Sequence, residues 1–187
     1  MSLRLNLILV TWNPRNLTPL KVSVKSSLMN VEIRQITQNE QESTFRRVEE
    51  MFVEMYRFMA DRGLTLTLQK GGEKIWLKSM MPLLGKTNAV VVAFADDAPV
   101  GFAAGNIRIA PAFLGNKKVG HLSHLFVDEN FRTYNLGRKL SNQLEEWFSQ
   151  KGVELIELDV LTRSEDVIRF WERGGYLREY VKMNKRP

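Results

Sequence analysis

Regular alternation of hydrophobic and polar positions begins at residue 31 and predicts a strand that leads into a long helix. Residues 31–36 alternate with the period of two that is typical of a half-buried strand. Residues 37–40 have the spacing of a capping box, which predicts a helix N-terminus, and Gly63 is a typical helix terminator. The inward positions of this amphipathic helix are then Phe45, Val48, Phe52, Met55 and Met59.

The rest of the chain predicts five further strands and three further helices, separated by turns rich in glycine, asparagine, aspartate and proline. The predicted strands are residues 89–95, 100–109, 119–127, 153–161 and 176–183, and the predicted helices are residues 73–84, 138–150 and 165–173. This order of elements predicts an α/β (α+β) domain in which helices cover both faces of a mixed sheet.

The composition is that of one ordinary globular domain and excludes several kinds of chemistry. The chain has 187 residues, of which 44% are hydrophobic and 26% charged. It has no cysteine, which excludes disulfides, thiolate nucleophiles and cysteine-based zinc or iron–sulfur sites. With only two histidines we expect no metal site. The apolar run at residues 7–10 is too short to span a membrane or to form a signal peptide, so we expect a cytoplasmic protein.

The net charge of +6 lies mostly in the first part of the chain. Residues 1–31 hold four basic residues and no acid, which leaves 23 basic against 21 acidic residues in the remainder. We therefore divide the chain into a basic N-terminal extension, residues 1–30, and one domain, residues 31–187. The extension is compatible with an extra strand, an arm or a start-site extension. A nearly balanced domain disfavours nucleic acid as the partner.

Candidate chemistry concentrates at residues 119–140, where a strand is followed by a polar loop and the start of a helix. Several backbone N–H groups at a helix N-terminus lack partners within the helix, and the helix dipole adds positive charge there. Such a place binds anions, most often phosphate. Arg132 and Arg138 bracket the loop and add fixed charge. The pattern therefore predicts a phosphate site.

Two motifs in this part of the chain and near its end resemble those of the GNAT acetyltransferase superfamily. The first motif is Arg/Gln-x-x-Gly-x-Gly/Ala after the fourth strand, and here it runs from Arg132 to Gly137. The second is an Asn, then Ala-x-x-Phe-Tyr, then Gly-Phe, and here Ser164, residues 167–171 and residues 175–176 stand in those places. The resemblance covers about residues 31–185. It implies a single-domain fold whose mostly antiparallel sheet is splayed between the fourth and fifth strands.

Three positions depart from the family's motifs. Asn135 replaces the first glycine of the loop, but asparagine is among the residues that best tolerate a positive φ, so the loop can keep its shape. Ser164 replaces an asparagine that contacts the cofactor in the family. Trp171 replaces a tyrosine that often serves as the general acid, a role that an indole cannot fill.

The resemblance implies acetyl-CoA as co-substrate and direct attack on its thioester by a primary amine. The loop would hold the pyrophosphate, the backbone of Leu125 and Val127 would hold the pantetheine arm, and the Leu125 N–H would donate to the thioester carbonyl. The implied cofactor-binding residues are Leu125, Val127, Arg132, Thr133, Tyr134, Asn135, Leu136, Gly137, Arg138, Ser164, Phe170 and Trp171.

His121 is the candidate general base that the resemblance implies. It occupies the place of the catalytic glutamate of the family's histone acetyltransferases, and a histidine suits a base at neutral pH. A strand period of two would put His121, Leu125 and Val127 on one face, and His124 on the other. The alternative interpretation of His121 is a packed strand residue with a satisfied hydrogen bond. Tyr176 and Tyr180 are candidates for the missing acid, or core and sheet residues.

The sequence thus predicts an acetyl-CoA-dependent N-acetyltransferase that acts on a primary amine. Its alternative is a non-catalytic module of the same fold that binds acyl-CoA, and a nucleic-acid-binding protein ranks third. The acceptor is a small-molecule or peptide amine that the sequence does not identify. The sequence does not determine the oligomeric state, and a homodimer is one of the alternatives. In the family the first two helices often wall the acceptor site, so part of the apolar stripe that includes Phe52 and Trp76 is a candidate pocket lining, although it is first of all core.

Overall fold

The computed structural model describes residues 30–185, which form one five-stranded mixed sheet with helices on both faces. The strands are β1 Val31–Gln35, β2 Asn88–Ala95, β3 Ala98–Ile109, β4 Lys118–Val127 and β5 Leu155–Glu157. They lie in chain order; β1 to β4 pair antiparallel, and β4 pairs parallel with β5. The helices are α1 Glu42–Asp61, α2 Gly72–Met80, α3 Leu136–Gln150 and α4 Glu165–Glu172. The predicted fold class is confirmed. Residues 1–29 of the predicted extension lie outside the described residues.

Two hydrophobic cores lie on opposite faces of the sheet. Strand β2 is buried at all eight positions, and its side chains alternate between the two cores. Val90 and Val92 pack toward α1, where Phe52 is 2% exposed, whereas Val91 packs toward α3, where Phe148 is fully buried. A strand that is covered on both faces carries apolar residues without interruption, which explains the β-branched run in β2.

Helix α1 begins at Glu42 and lacks the predicted capping box. Gln41 is its N-cap residue and makes no capping bond with its side chain. Glu40 instead accepts a hydrogen bond at 3.1 Å from the Arg34 guanidinium of β1, and this ion pair holds its pKa below the usual range. The capping-box prediction is wrong because the helix begins after Glu40, whose carboxylate binds the Arg34 guanidinium and the N–H of Gln41.

A β-bulge at Ser123 reverses the faces of β4. The pairing of β3 with β4 shifts register between Ala104 and Gly105, which leaves Ser123 without an opposite residue. Leu122 and Leu125 therefore both face the core beside α3, and His124 faces the core beside α1 and α2. His121, one residue before Leu122, lies on the α1/α2 face. The predicted grouping of His121 with Leu125 and Val127 is wrong because one extra residue changes the parity of the strand.

Strand β5 pairs with β4 over only three residues, and the two strands are splayed beyond them as predicted. The last paired position joins His121 to Glu157, whereas β4 continues to Val127. The strand predicted at residues 153–161 is thus shorter than expected. From Leu122 onward no described strand pairs with the open edge of β4, so its backbone groups there are available to a ligand.

The C-terminal end and α2 differ from their predictions. The strand predicted at residues 176–183 is wrong: the structure describes no strand there, and Leu177 is 92% exposed and Met183 89% exposed. Alternation alone forms no strand where no neighbour supplies hydrogen bonds. Helix α2 ends at Met80, earlier than predicted, and a 3₁₀ turn at Met81–Leu83 follows because Pro82 cannot donate a backbone hydrogen bond. No helix among residues 30–185 has the length and apolar character needed to cross a membrane.

Candidate functional site

The open edge of β4 presents the backbone groups of Leu125 and Val127. The N–H of Asp128 donates to Val100 of β3 at 2.9 Å. Because successive residues of a strand point their backbone groups to opposite sides, those of Val127 and Leu125 point away from β3 into the gap left by β5. The carbonyl of Val127 accepts a hydrogen bond there from Arg132 Nε at 3.2 Å.

The loop after β4 has the shape that an anion site at a helix N-terminus requires. A 3₁₀ turn at Glu129–Tyr134 leads to Asn135, whose φ of 58° and ψ of 25° lie in the left-handed region, and α3 begins at Leu136. The expected positive φ of Asn135 is confirmed. The N–H of Lys139 donates to the Asn135 carbonyl at 3.3 Å, so helical hydrogen bonding starts at Lys139. The N–H groups of the residues between Asn135 and Lys139 have no acceptor within the helix.

The two arginines that bracket the loop have different surroundings. Arg132 lies on the solvent side of the loop, with its guanidinium carbon 5.7 Å from the centre of the Phe58 ring of α1. Arg138 turns toward α4 instead: its Nη2 donates to the Phe170 carbonyl at 2.6 Å, and its guanidinium carbon is 4.5 Å from the Phe170 ring centre. Arg138 therefore joins α3 to the end of α4, and Arg132 is the better placed of the two for a phosphate.

The other predicted residues of the loop differ in burial. Thr133 and Tyr134 are exposed, and Leu136 is fully buried, so Leu136 offers a ligand only its backbone. A Cβ built on Gly137 would lie 3.5 Å from the Phe170 ring, an ordinary contact that does not by itself demand glycine. The glycine keeps the first turn of α3 free of side chain on the side that faces Phe170 and Leu125.

Two residues of the second predicted motif, Ser164 and Trp171, are buried. Ser164 precedes α4 and is 3% exposed. Trp171 is 6% exposed and meets Phe170 and Tyr176 edge to face, with ring centres 4.9 and 5.2 Å away. Their contacts with a cofactor stay predictions. The Tyr176 hydroxyl donates to Glu145 at 3.0 Å, and burial together with that carboxylate raises the tyrosine pKa far above its usual value. Tyr176 is thus a core residue and a poor acid.

An ion pair attaches the start of the loop to α1. Arg47 Nη2 donates to both carboxylate oxygens of Asp128, at 3.0 and 2.8 Å. The two side chains are 28% and 17% exposed, and Glu50 and Glu54 also accept from Arg47. Asp128 directly follows β4, so this pair sets the position of the loop relative to the helices on the other face.

We expect Arg47→Ala to lower the free energy of unfolding by about 1–2 kcal/mol, because the partly buried Asp128 carboxylate loses its donors. Urea denaturation measures this change. Arg46→Ala is the matched control: Arg46 is exposed, pairs with Glu42 one turn away at 3.2 Å, and its loss should cost less than about 0.5 kcal/mol. Equal effects of the two substitutions would contradict the attachment of the loop through Arg47.

His121 belongs to a charged group at the end of the paired part of β4 and β5. Its Nδ1 lies 3.5 Å from Glu157 Oε1, and the two side chains are 26% and 32% exposed. Arg108 of β3 donates to the same oxygen at 2.6 and 3.1 Å. A carboxylate beside one ring nitrogen orients an imidazole and leaves its other nitrogen to accept a proton.

A groove on the α1/α2 face contains Phe52 and Trp76, which the sequence analysis named as candidate pocket lining, together with Tyr56 and His124, which it did not. The groove has a volume of about 430 Å³, and its floor is formed by Phe52, Tyr56, Trp76 and His124. We call it the aromatic groove. Burial, together with nearby His121, lowers the pKa of His124 to about 4. The aromatic stripe on the first helix was the available sequence signal, and the predicted alternation of β4 already placed His124 opposite Leu125 and Val127. The bulge adds His121 to that face.

Burial of His124 predicts a dependence of stability on pH. Its folded pKa is about 4 against an ordinary 6.5, so the unfolded chain binds more protons between these values. The contribution of neutral His124 to the free energy of unfolding is therefore fully present above about pH 6.5. The free energy of unfolding should fall by about 1 kcal/mol per pH unit from there toward pH 4. Urea denaturation at pH 7 and pH 5 should show a smaller difference in His124→Gln than in the original chain. His121→Gln is the control, and an equal loss of slope in both would refute this cause.

Comparison with known proteins gives a family and two relatives. The sequence model of the acetyltransferase (GNAT) family matches residues 45–176. An uncharacterized N-acetyltransferase of Methanocaldococcus jannaschii is 28% identical over 142 residues, which cover 72% of this chain and 61% of that protein. Glucosamine 6-phosphate N-acetyltransferase 1 of Dictyostelium discoideum is 34% identical over 83 residues, which cover 44% of this chain and 51% of that protein. The matches thus span between about half and three fifths of these relatives.

Solved structures share the fold at low identity. Glucosamine-6-phosphate N-acetyltransferase from Arabidopsis thaliana matches with a TM-score of 0.61 and 19% identity, over 84% of this chain and 98% of that one. The aminoglycoside N-acetyltransferase AAC(6')-Iy in complex with CoA matches with a TM-score of 0.63 and 18% identity, over 85% and 95%. Fold, loop geometry and a family match over more than two thirds of the sequence agree: the chain belongs to the acetyltransferase (GNAT) family.

Proposed function

We propose that the protein transfers the acetyl group of acetyl-CoA to the nitrogen of a primary amine. One observation carries this proposal: the open edge of β4 at Leu125 and Val127 lies beside the start of α3, where a Cβ on Gly137 would be 4.0 Å from the Leu125 side chain. An extended arm with amides and a pyrophosphate at its end needs these two features side by side. The relatives named N-acetyltransferases support the same reaction class.

The cofactor would be held mainly by backbone groups. The first turn of α3, from Leu136 to Arg138, offers N–H groups to the pyrophosphate, and Arg132 adds positive charge. The pantetheine amides would pair with Leu125 and Val127, as a further strand pairs with a sheet edge. Arg132 would have to release the Val127 carbonyl or share it, since it occupies that acceptor in the structure.

The chemistry is nucleophilic attack by the neutral amine on the thioester carbonyl. The C–N bond forms, the carbonyl oxygen gains negative charge, and the Leu125 N–H would stabilise that charge. The C–S bond then breaks, and the sulfur keeps the electron pair as CoA thiolate. His121 would accept the proton of the amine at Nε2, because its Nδ1 faces Glu157. No acid is assigned to the thiolate, since Tyr176 holds its proton tightly and the indole N–H of Trp171 is not acidic near neutral pH.

A turnover screen tests the proposal. The protein is incubated with acetyl-CoA and a panel of primary amines, and release of the CoA thiol is measured. Acetyl-CoA that raises the melting temperature without thiol release on any amine would favour the alternative, an acyl-CoA-binding module. That alternative is supported by Trp171, which is 6% exposed where the family often has an acidic tyrosine.

A further inference from the structure

We propose that the acceptor is a primary monoamine with an uncharged apolar or aromatic body, and that the aromatic groove binds this body. The inference rests on the proposed function, because it identifies the acceptor of that reaction. The proposed acceptor differs in chemistry from the sugar phosphate and the aminoglycosides that appear in the names of the related proteins.

The aromatic rings give the groove an apolar floor. Trp76 stacks on Phe52 with ring centres 4.2 Å apart, and the edge of His124 meets Trp76 at 5.3 Å. Tyr56 stands 4.8 Å from Phe52 and 6.2 Å from His124. The volume of about 430 Å³ lies within the range of small-molecule sites. Planar ring surfaces of this kind favour an aromatic or aliphatic body.

Exposed apolar side chains continue the floor to the rim. Leu66, in the loop between α1 and α2, is 82% exposed, and Ile75 of α2 is 58% exposed. Both line the same groove. Single exposed apolar residues are common, but a cluster around a concave aromatic floor indicates a surface that a ligand covers.

The lack of charged side chains in the described lining of the groove disfavours highly charged acceptors. Among residues 30–185 no acidic or basic side chain lines it; Thr67 and Gln69 are its polar members besides Tyr56 and His124. Burial keeps His124 neutral near pH 7. A sugar phosphate would need a cation and a polycation would need carboxylates to replace their lost hydration. A monoamine needs neither, because its amino group would lie outside the groove, at the reacting centre.

The groove adjoins that reacting centre through His124, which is part of its lining. His124 follows the bulge residue Ser123 and precedes Leu125, the proposed donor to the thioester carbonyl. Ser123 Oγ lies 2.8 Å from His124 Nδ1 and donates to the Ala104 carbonyl at 3.1 Å, which fixes the ring in the groove wall. A body seated on the aromatic floor therefore places its amine along β4, on the face that carries His121.

The test compares matched amines and matched variants. CoA release is measured with 2-phenylethylamine, ethanolamine, 1,4-diaminobutane and glucosamine 6-phosphate. We expect kcat/KM for 2-phenylethylamine to exceed that for the other three by at least about tenfold. Binding of 2-phenylethylamine to the CoA-saturated protein is measured separately by calorimetry.

Trp76→Ala and Ile75→Ser should each weaken that binding by roughly tenfold or more and leave the KM for acetyl-CoA unchanged. Ile75 is more than half exposed, so its substitution keeps the fold even where Trp76→Ala lowers the melting temperature. Phe113→Ala is the control, because Phe113 is 85% exposed on the connection between β3 and β4, and should change nothing.

The outcomes separate this inference from the proposed function. Turnover that favours ethanolamine or a charged amine overturns the inference and leaves the function standing. Absence of turnover, with calorimetric binding that Ile75→Ser weakens, supports the groove and overturns the function. Neither turnover nor binding overturns both.

Discussion

Replacing His121 by alanine is expected to lower kcat by about 10²- to 10⁴-fold, the usual contribution of a positioned general base. The substitution removes the imidazole that the proposed mechanism assigns to proton acceptance, beside Glu157. The KM for acetyl-CoA should stay unchanged, because the proposed cofactor contacts lie at Leu125, Val127 and the loop. Steady-state kinetics with any acetylated amine measures both constants.

Two further measurements distinguish a base from a packing residue. Added imidazole should restore part of the lost turnover in His121→Ala, since a small base can enter the space that the side chain leaves. Glu157→Gln should reduce kcat less, by about tenfold, because the imidazole remains and loses only its orienting charge. Full turnover of His121→Ala at all pH values would establish the alternative interpretation, a packed strand residue.

The second large effect is expected in the loop. Asn135→Val should weaken acetyl-CoA binding by about 10- to 100-fold, because a β-branched residue at a φ of 58° costs about 1–3 kcal/mol or forces the loop into another shape. Either outcome moves the N–H groups at the start of α3. Calorimetric titration with CoA measures the loss, and the melting temperature reports the strain.

Asn135→Gly is the matched control, since glycine adopts a positive φ without steric cost and stands at this place in the family motif. Its CoA affinity should equal or exceed that of the original chain. Equal weakening by valine and glycine would mean that the asparagine side chain, rather than the backbone conformation, determines binding.

Local signals in the sequence account for much of the site. Asn135 was interpreted correctly because tolerance of positive φ is a property of the residue itself. The loop and the start of α3 were found because a strand, a polar turn and an amphipathic helix each leave a pattern of short range. Elements whose hydrogen bonds are internal or lie between long buried strands were therefore predicted close to their true limits.

The errors concern features that depend on distant partners. Glu40 prefers Arg34 over its capping role, and residues 176–183 alternate like a strand but have no described neighbour. The bulge at Ser123 depends on the register with Ala104 and Gly105, nineteen or so positions away in the chain, which no local period reveals.

For this protein, the amino-acid sequence by itself determined most of the order of elements, the family and the conformation of the loop before α3, because these follow from periodicity and from the conformational preferences of single residues. Only the tertiary structure decided which side chains share a face of β4. One unpaired residue moved His121 to the side of α1 and α2, where His124 already lay, and long-range packing built the aromatic groove on that side. Those are cooperative effects of pairing and burial, and they exist only once the chain is folded.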